Sequence, residues 1–245
     1  MTGSPRLRRG SWPLAVGLTA GGAAAAYWIG MSPYSQLLGP FPYRGVATGP
    51  VVALTFDDGP NEPYTSQIAD FLDERGIKAT FFQVGRAVRQ HPEVTARLAR
   101  SGHVIGHHGY SHRFTACLRR RTLDQDIQRG LDAFARLEIR PALYRPPWLL
   151  RTPALRPVLG RYGLHAVSGE FSHALEVFQP DPRRIARRAL AKVRPGCILI
   201  FHDGFDGRTG YRGSTVEAIK IVVDRLNDQG YSFVTVDRLL GIPAY

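Results

Sequence analysis

The chain has 245 residues and a net charge of +12, from 32 Lys and Arg against 20 Asp and Glu. With the N-terminus set aside, that length suits one large core, and an apolar fraction of 44% excludes a disordered or low-complexity protein. Two cysteines are too few for a disulfide framework, and the absence of any CxxC spacing argues against metal ligation by thiolates.

The first feature along the chain is a membrane-type segment. Arg6, Arg8 and Arg9 precede an uncharged stretch from Gly10 to Tyr43. Its apolar heart, Trp12 to Met31, is about the length that spans a bilayer as a helix. Trp12, Tyr27 and Trp28 sit near its ends, as interfacial aromatics do. Basic residues before the segment predict an inside N-terminus and a body outside the cytoplasm. Ala24 and Ala26 offer a cleavage site, but apolar character continues through Ile29 and Met31. The segment therefore reads as a signal anchor over 1–31, with a cleaved signal peptide and a secreted body as the alternative. A linker or lead-in strand follows over 32–47, and a single domain is expected over 48–245.

Val51 to Phe56 is a short run of β-formers ended by the turn Asp57-Asp58-Gly59-Pro60. Further strands are predicted at Ala79 to Val84, His103 to Ile105, Leu143 to Arg145, His165 to Val167, Cys197 to Phe201 and Ser232 to Thr235. Helical spacing is read over Tyr64 to Arg75, Glu93 to Arg100, Thr122 to Leu137, Thr152 to Tyr162, Pro182 to Val193 and Thr215 to Gln229. Arg119-Arg120-Arg121 reads as a solvated loop before one of these helices. Cys197 heads an apolar run, where a buried free thiol is the default, although it has Cys117 as a possible disulfide partner. Strands alternate with helices about seven times, which indicates an α/β protein with a parallel sheet. Polar residues cluster just after the strands. Gathering them all on one rim favours a (β/α) barrel over an open sheet.

Those rim residues suggest hydrolytic chemistry. Adjacent acids such as Asp57 and Asp58 can divide labour, one holding a metal and the other staying free as a base. Four of the eight histidines lie between positions 103 and 112. His108 and His112 are four apart, so one helical turn would aim both at one ion; His107 with His112 is the competing pair. Two His and one carboxylate suit a catalytic zinc or similar ion with an open position. His202 ends a buried strand, where it can donate a proton to a leaving group. Arg145, stiffened by Pro146 and Pro147, is placed to pair with Asp57 and hold it ionised.

Taken together, these segments resemble the polysaccharide deacetylases, the carbohydrate esterases that include chitin and peptidoglycan deacetylases. Thr55-Phe56-Asp57-Asp58-Gly59-Pro60 is similar to their first motif, and Gly102 to His112 to their second. Arg145-Pro146-Pro147 is similar to the third, and Ile200-Phe201-His202-Asp203 to the last. The resemblance covers about residues 48 to 240. It implies a deformed (β/α) barrel of about seven parallel strands and a divalent ion, usually Zn2+. Asp58, His108 and His112 are then the metal ligands, Asp57 the general base, His202 the general acid, and Arg145 the residue that positions Asp57. A backbone N–H near Trp148 is the candidate oxyanion donor. The family pattern departs at three places. Leu149 stands where glycine is usual, His107 stands where asparagine is usual, and Val167 to His173 lacks the Asp and Trp of the fourth motif. An acid of that motif normally orients the catalytic histidine, and Glu170 is the nearest substitute.

The implied activity is removal of N-acetyl groups from an extracytoplasmic glycan. The implied partners are an N-acetylated glycan and, through the N-terminal segment, a membrane. Nucleic acid is not an expected partner, because no Lys/Arg block is interleaved with aromatics that would stack on bases. Deacylation of a lipid-linked sugar, an O-acetyl ester or a small amide is the alternative enzymatic reading. A glycan-binding module without turnover is the non-enzymatic one.

Overall fold

The period-two alternation of the first body strand sets the architecture. In β1 (Val51–Asp57), Val52, Leu54 and Phe56 point one way into a large apolar cluster. Ala53, Thr55 and Asp57 therefore point the other way, toward the barrel interior, and Asp57 ends the series at the rim. In this computed structural model the described residues are 12–173 and 175–245, with side chains described from residue 21 onward.

After β1 come α2 (Tyr64–Asp73), β2 (Thr80–Gln83), α3 (Gly85–Gln90), α4 (Pro92–Arg100) and β3 (Val104–His107). Then follow α5 (Phe114–Leu118), α6 (Arg120–Ala135), β4 (Leu143–Tyr144), a 3-10 turn at Pro147–Leu149, α7 (Leu155–Arg161), β5 (His165–Ala166) and β6 (Glu170–Phe171). A 3-10 turn at Glu176–Phe178, α8 (Pro182–Leu190), β7 (Cys197–His202), α9 (Gly213–Asp228), β8 (Ser232–Phe233) and α10 (Val236–Leu240) complete the body. The N-terminal helix is α1 (Trp12–Met31). Seven of the strands follow the predictions within a few residues. β6, α3, α5 and α10 were not anticipated, being too short to show a period. Arg120 and Arg121 lie in the first turn of α6 rather than in a loop.

All strand pairings are parallel, in the order β5-β4-β3-β2-β1-β7-β6, with β8 beside the start of β1. β5 and β6 are not paired with each other, so the sheet curls into an incomplete barrel. The lead-in segment lies along the seam. Ser168 N–H donates to the Pro42 carbonyl (2.9 Å), and Phe41 is fully buried beside Leu149 and Ile200.

The outer layer is apolar. Ile185, Ala186 and Ala189 of α8 pack with Ile219, Val222 and Val223 of α9 against the outward side chains of β1 and β7. The interior is narrower and mixed. Phe82 fills it, and a methyl group on Gly106 would sit 2.5 Å from that ring. The Arg145 guanidinium lies 4.0 Å from the Phe82 centroid, stacked on its face. Cys117 and Cys197 are both buried and free, and do not pair.

The expected membrane anchor over 1–31 falls partly outside the described residues. Among the described residues no helix is long and apolar enough to cross a membrane. The C-terminal end of α1 rests on the body. Arg151 N–H donates to the Gly30 carbonyl (2.7 Å), and the Arg151 guanidinium reaches the carbonyls of Ile29 (3.2 Å) and Ser32 (2.6 Å). A cation on the last carbonyls of a helix is a favoured cap.

Candidate active site

The C-terminal ends of β1, β3 and β7 deliver Asp57, His107 and His202 to one rim, and the loops that follow complete the site. A cavity of about 150 Å³ there is lined by Asp57, Asp58, His108, His112, Trp148 and His202, among others.

Asp58 follows β1 in the left-handed region (φ 79), which turns its carboxylate from the strand toward the histidines. Asp58, His108 and His112 are all buried, and one ligand atom of each lies within 4.8 Å of the others. His112 Nε2 is 3.1 Å and His108 Nε2 3.4 Å from Asp58 Oδ1. Asp58 Oδ1 has no hydrogen-bond donor, so a buried anionic oxygen is left facing two imidazole nitrogens. This donor set fits a divalent ion, and the orphaned oxygen is where it would coordinate. Burial works against the Asp58 charge, but His112 and His108 outweigh it and hold the carboxyl well below its usual range. Burial likewise opposes a proton on His112, yet Asp58 and then Asp206 raise its imidazole to about 10.

The partners of the histidines fix their tautomers. His108 Nδ1 donates to the Arg145 carbonyl (2.7 Å), which leaves Nε2 free as a ligand. His107, the rival, points away. Its Nδ1 accepts from Gly109 N–H (2.8 Å), and its Nε2 donates to the Ile127 carbonyl (3.0 Å). Burial presses it down to about 4 and keeps it neutral.

The helical turn expected between His108 and His112 is absent. The segment is a loop with positive φ at Gly109 (75°) and His112 (50°). Asp126 of α6 shapes it by accepting from Tyr110 N–H (2.8 Å), Ser111 N–H (3.1 Å) and the Ser111 hydroxyl (2.6 Å). The spacing of four brings the two imidazoles together by this bend and not by helical periodicity.

Arg145 is fully buried. Its Nη1 donates to Asp57 Oδ1 (2.7 Å) and to the Thr55 hydroxyl (2.7 Å), and its Nη2 to the Ser168 carbonyl (2.8 Å). Asp57 therefore stands with one oxygen anchored inside the barrel. Leu149, where the family pattern has glycine, takes φ 55, in the left-handed region that favours glycine, as does Trp148 (φ 54). The pair swings the indole over His112, with ring centroids 4.4 Å apart.

His202 finds an acid, but not Glu170. Glu176, from the 3-10 turn before α8, is 1% exposed and contacts His202 Nδ1 through Oε2. Its Oε1 accepts from His202 N–H (3.2 Å) and from the Thr215 hydroxyl. Burial disfavours the imidazolium, but Glu176 outweighs it and raises His202 to about 9. Glu170 sits half-buried in β6, away from the cavity lining, beside Tyr34. The neighbouring Asp203 serves the loop, accepting from Gly59 N–H (3.1 Å) and the Thr65 hydroxyl (2.6 Å). Burial pushes its carboxyl up to about 7.

Sequence reasoning missed Glu176, Asp126 and Asp206. Asp206 contacts His112 Nδ1 (2.9 Å), and its N–H donates to Asp58 Oδ2 (3.1 Å), so it ties two of the triad together. Its signal was its position in Phe201-His202-Asp203-Gly204-Phe205-Asp206, a second acid in the loop after the strand. Glu176 and Asp126 lie in no motif, and only the folded chain brings them to the site.

A buried Asp-His-His cluster, an anchored carboxylate and a Glu-supported histidine around one cavity define a hydrolase site on a curled α/β barrel. The family model described as polysaccharide deacetylase matches residues 44–167. The chain is 31% identical to a peptidoglycan-N-acetylglucosamine deacetylase of Bacillus cereus, covering 78% of this chain and 88% of that protein. It is 29% identical to a chitooligosaccharide deacetylase of Sinorhizobium fredii, covering 77% and 91%. The crystal structure of a peptidoglycan N-acetylglucosamine deacetylase matches with a TM-score of 0.75 at 26% identity, over 82% of this chain and 93% of that one. The chain belongs to the polysaccharide deacetylases, hydrolases of carbon–nitrogen bonds other than peptide bonds.

Proposed function

We propose that the protein removes acetyl groups from N-acetylhexosamine residues of an extracytoplasmic glycan, with peptidoglycan as the leading substrate. The observation that carries this reading is the division of labour around one cavity: Asp57 fixed by Arg145, His202 by Glu176, and a ligand set between them. Relatives that act on peptidoglycan and chitooligosaccharides support the substrate class.

In this reading Asp58, His108 and His112 hold a divalent ion, with zinc favoured by the two-histidine, one-carboxylate set. When bound, the ion supplies Lewis-acid polarisation and an acidified water. Asp57 is the general base. Arg145 anchors one of its oxygens and leaves the second free to take the proton from the attacking water. The water oxygen adds to the acetyl carbon, and the carbon–nitrogen bond breaks. His202 gives the departing nitrogen its proton, so the products are acetate and a free amine. Trp148, Leu149 and Phe171 wall the cavity and exclude bulk water from the reacting carbonyl. The segment 1–31 is read as the export signal or anchor, 32–47 as its linker, and 48–245 as the catalytic domain that it delivers outside the cytoplasm.

Acetate release from peptidoglycan and from N-acetylglucosamine oligomers, with zinc supplied, tests the reading. Asp57→Asn is expected to reduce release by about 100-fold or more. No release by the wild type, or release undiminished in Asp57→Asn, would overturn it.

A further inference from the structure

The +12 charge is not spread evenly around the site. Arg113 directly follows the ligand His112, and Arg208 lies two residues after Asp206. Between them stands Arg86 of α3. The start of α3 is bonded to the metal-ligand loop: Gly85 N–H donates to the Gly109 carbonyl (2.9 Å) and Arg86 N–H to the Tyr110 carbonyl (3.1 Å). The Arg86 guanidinium donates to the Asp206 carbonyl, and its buried Nε has no partner. Arg86 thus belongs to both sides of the rim. It lines a basin of about 1100 Å³ shared with Arg113 and a second of about 410 Å³ shared with Arg208.

From this placement we infer that Arg86, Arg113 and Arg208 form an anion subsite beside the acetyl-binding cavity, which holds a carboxylate carried on the glycan strand. The inference rests on the deacetylase reading and narrows its substrate to acidic strands over neutral ones. Three cations of one sign are costly to gather unless an anion joins them. Burial, and then the charges of Arg208 and Arg113, lower the Arg86 guanidinium, with Asp206 the main opposing charge. The carboxylates in the larger basin are already engaged. Asp124 binds Arg161 (2.8 Å) and the Tyr162 hydroxyl (3.0 Å), and Asp126 binds the ligand loop. Arg113 and Arg208 are exposed and pair with no carboxylate among the described residues. Guanidinium groups suit carboxylates because their paired N–H groups match the two oxygens.

On a peptidoglycan strand the carboxylate comes from the lactyl ether of the sugar or from the stem peptide. The full chain is assayed on peptide-bearing strands, on strands stripped of peptide, and on each after conversion of carboxylates to methylamides. Wild-type kcat/KM is expected to be about tenfold higher on the acid than on the amide form, and Arg113→Ala/Arg208→Ala to bring that ratio to about one. Arg113→Lys/Arg208→Lys, which keeps the charge, is expected to retain most of the preference. A preference on peptide-bearing strands, where the lactyl carboxyl is tied up in the amide to the peptide, assigns the stem carboxylates, and one confined to stripped strands assigns the freed lactyl carboxylate; both support the subsite. Equal rates on acid and amide forms, or a ratio unmoved in the double alanine variant, overturn it while leaving deacetylation intact. Absence of acetate from every strand removes the deacetylase reading instead. The subsite is then decided by binding of the acid strand at low and high salt. Affinity that weakens with salt and with the double alanine variant supports the subsite, and affinity unchanged by both overturns it.

Discussion

A histidine serves as a proton donor only if it is protonated when the substrate arrives, and Glu176 decides this for His202. The imidazole is raised to about 9, so it keeps its proton through neutral pH and loses it only on the alkaline side. The sign follows from the partner: a carboxylate at Nδ1 stabilises the charged ring, and removing that charge lets burial pull the ring down. Glu176→Gln is expected to move the alkaline limb of the kcat profile to lower pH and to reduce kcat at its optimum about 10- to 100-fold. A structural role alone would lower activity without shifting the limb, so the pH profile is the deciding measurement. Glu170→Gln is expected to leave the limb in place, since Glu170 does not line the cavity. The motif that usually supplies this acid is missing from Val167 to His173, and the acid that meets His202 lies six positions beyond Glu170. Periodicity and spacing are local signals. A lone glutamate in a 3-10 turn gives neither, so its meeting with His202 depends on how α8 and β7 pack.

At the scale of elements, the second ligand segment is held by the approach of α6 to β3. Gly130 of α6 faces the His107 ring so closely that a methyl group there would overlap Nε2 and Cε1. Gly130→Ala is expected to destabilise the fold by about 2–3 kcal/mol, seen as a lower urea midpoint, because the clash is with a buried ring that already donates to the Ile127 carbonyl. Asp126→Ala acts on the same loop from the helix side. It leaves the strands in place but frees Tyr110 and Ser111, and is expected to weaken zinc affinity about 10- to 100-fold by titration. Unchanged affinity would show that the loop holds its bend unaided. The contrast between these elements explains what was readable. β1 and β7 are long enough for alternation to show, and each ends in a residue that the sequence reading placed at the site. β4, β5, β6 and β8 are two residues each, too short for any period, and β6 went unseen. The His108 to His112 spacing brings those two imidazoles beside Asp58, but not by the helical turn expected. Four residues close a helical turn, but they also close a loop bent by Gly109 and by His112 itself at positive φ.

For the whole molecule, the barrel places its costliest groups together. Asp57, Asp58, Arg145 and His202 lie on or beside the strands β1, β4 and β7, with exposures of 0 to 4% for the first three. Arg145 returns part of the cost through its three hydrogen-bonding partners, and Glu176 does the same for His202. Asp58 Oδ1 faces only imidazole nitrogens, His112 Nε2 at 3.1 Å and His108 Nε2 at 3.4 Å. A cation at that point joins the loops after β1 and β3, so its binding free energy adds to the stability of the folded chain. At 100 times its dissociation constant a ligand adds about 2.7 kcal/mol, which for a domain of this size raises Tm by about 5–10 °C. Chelation of the metal-loaded protein is therefore expected to lower Tm by that amount, and zinc to restore it. Asp58→Asn keeps the shape of the side chain but removes its charge. It is expected to remove the zinc-dependent rise in Tm, and the chelated variant to melt below the chelated wild type, since the charge that His112 and His108 stabilise has been taken away. A zinc-dependent rise of equal size in Asp58→Asn would move the ion off this cluster and would leave His108 and His112 without a metal to share.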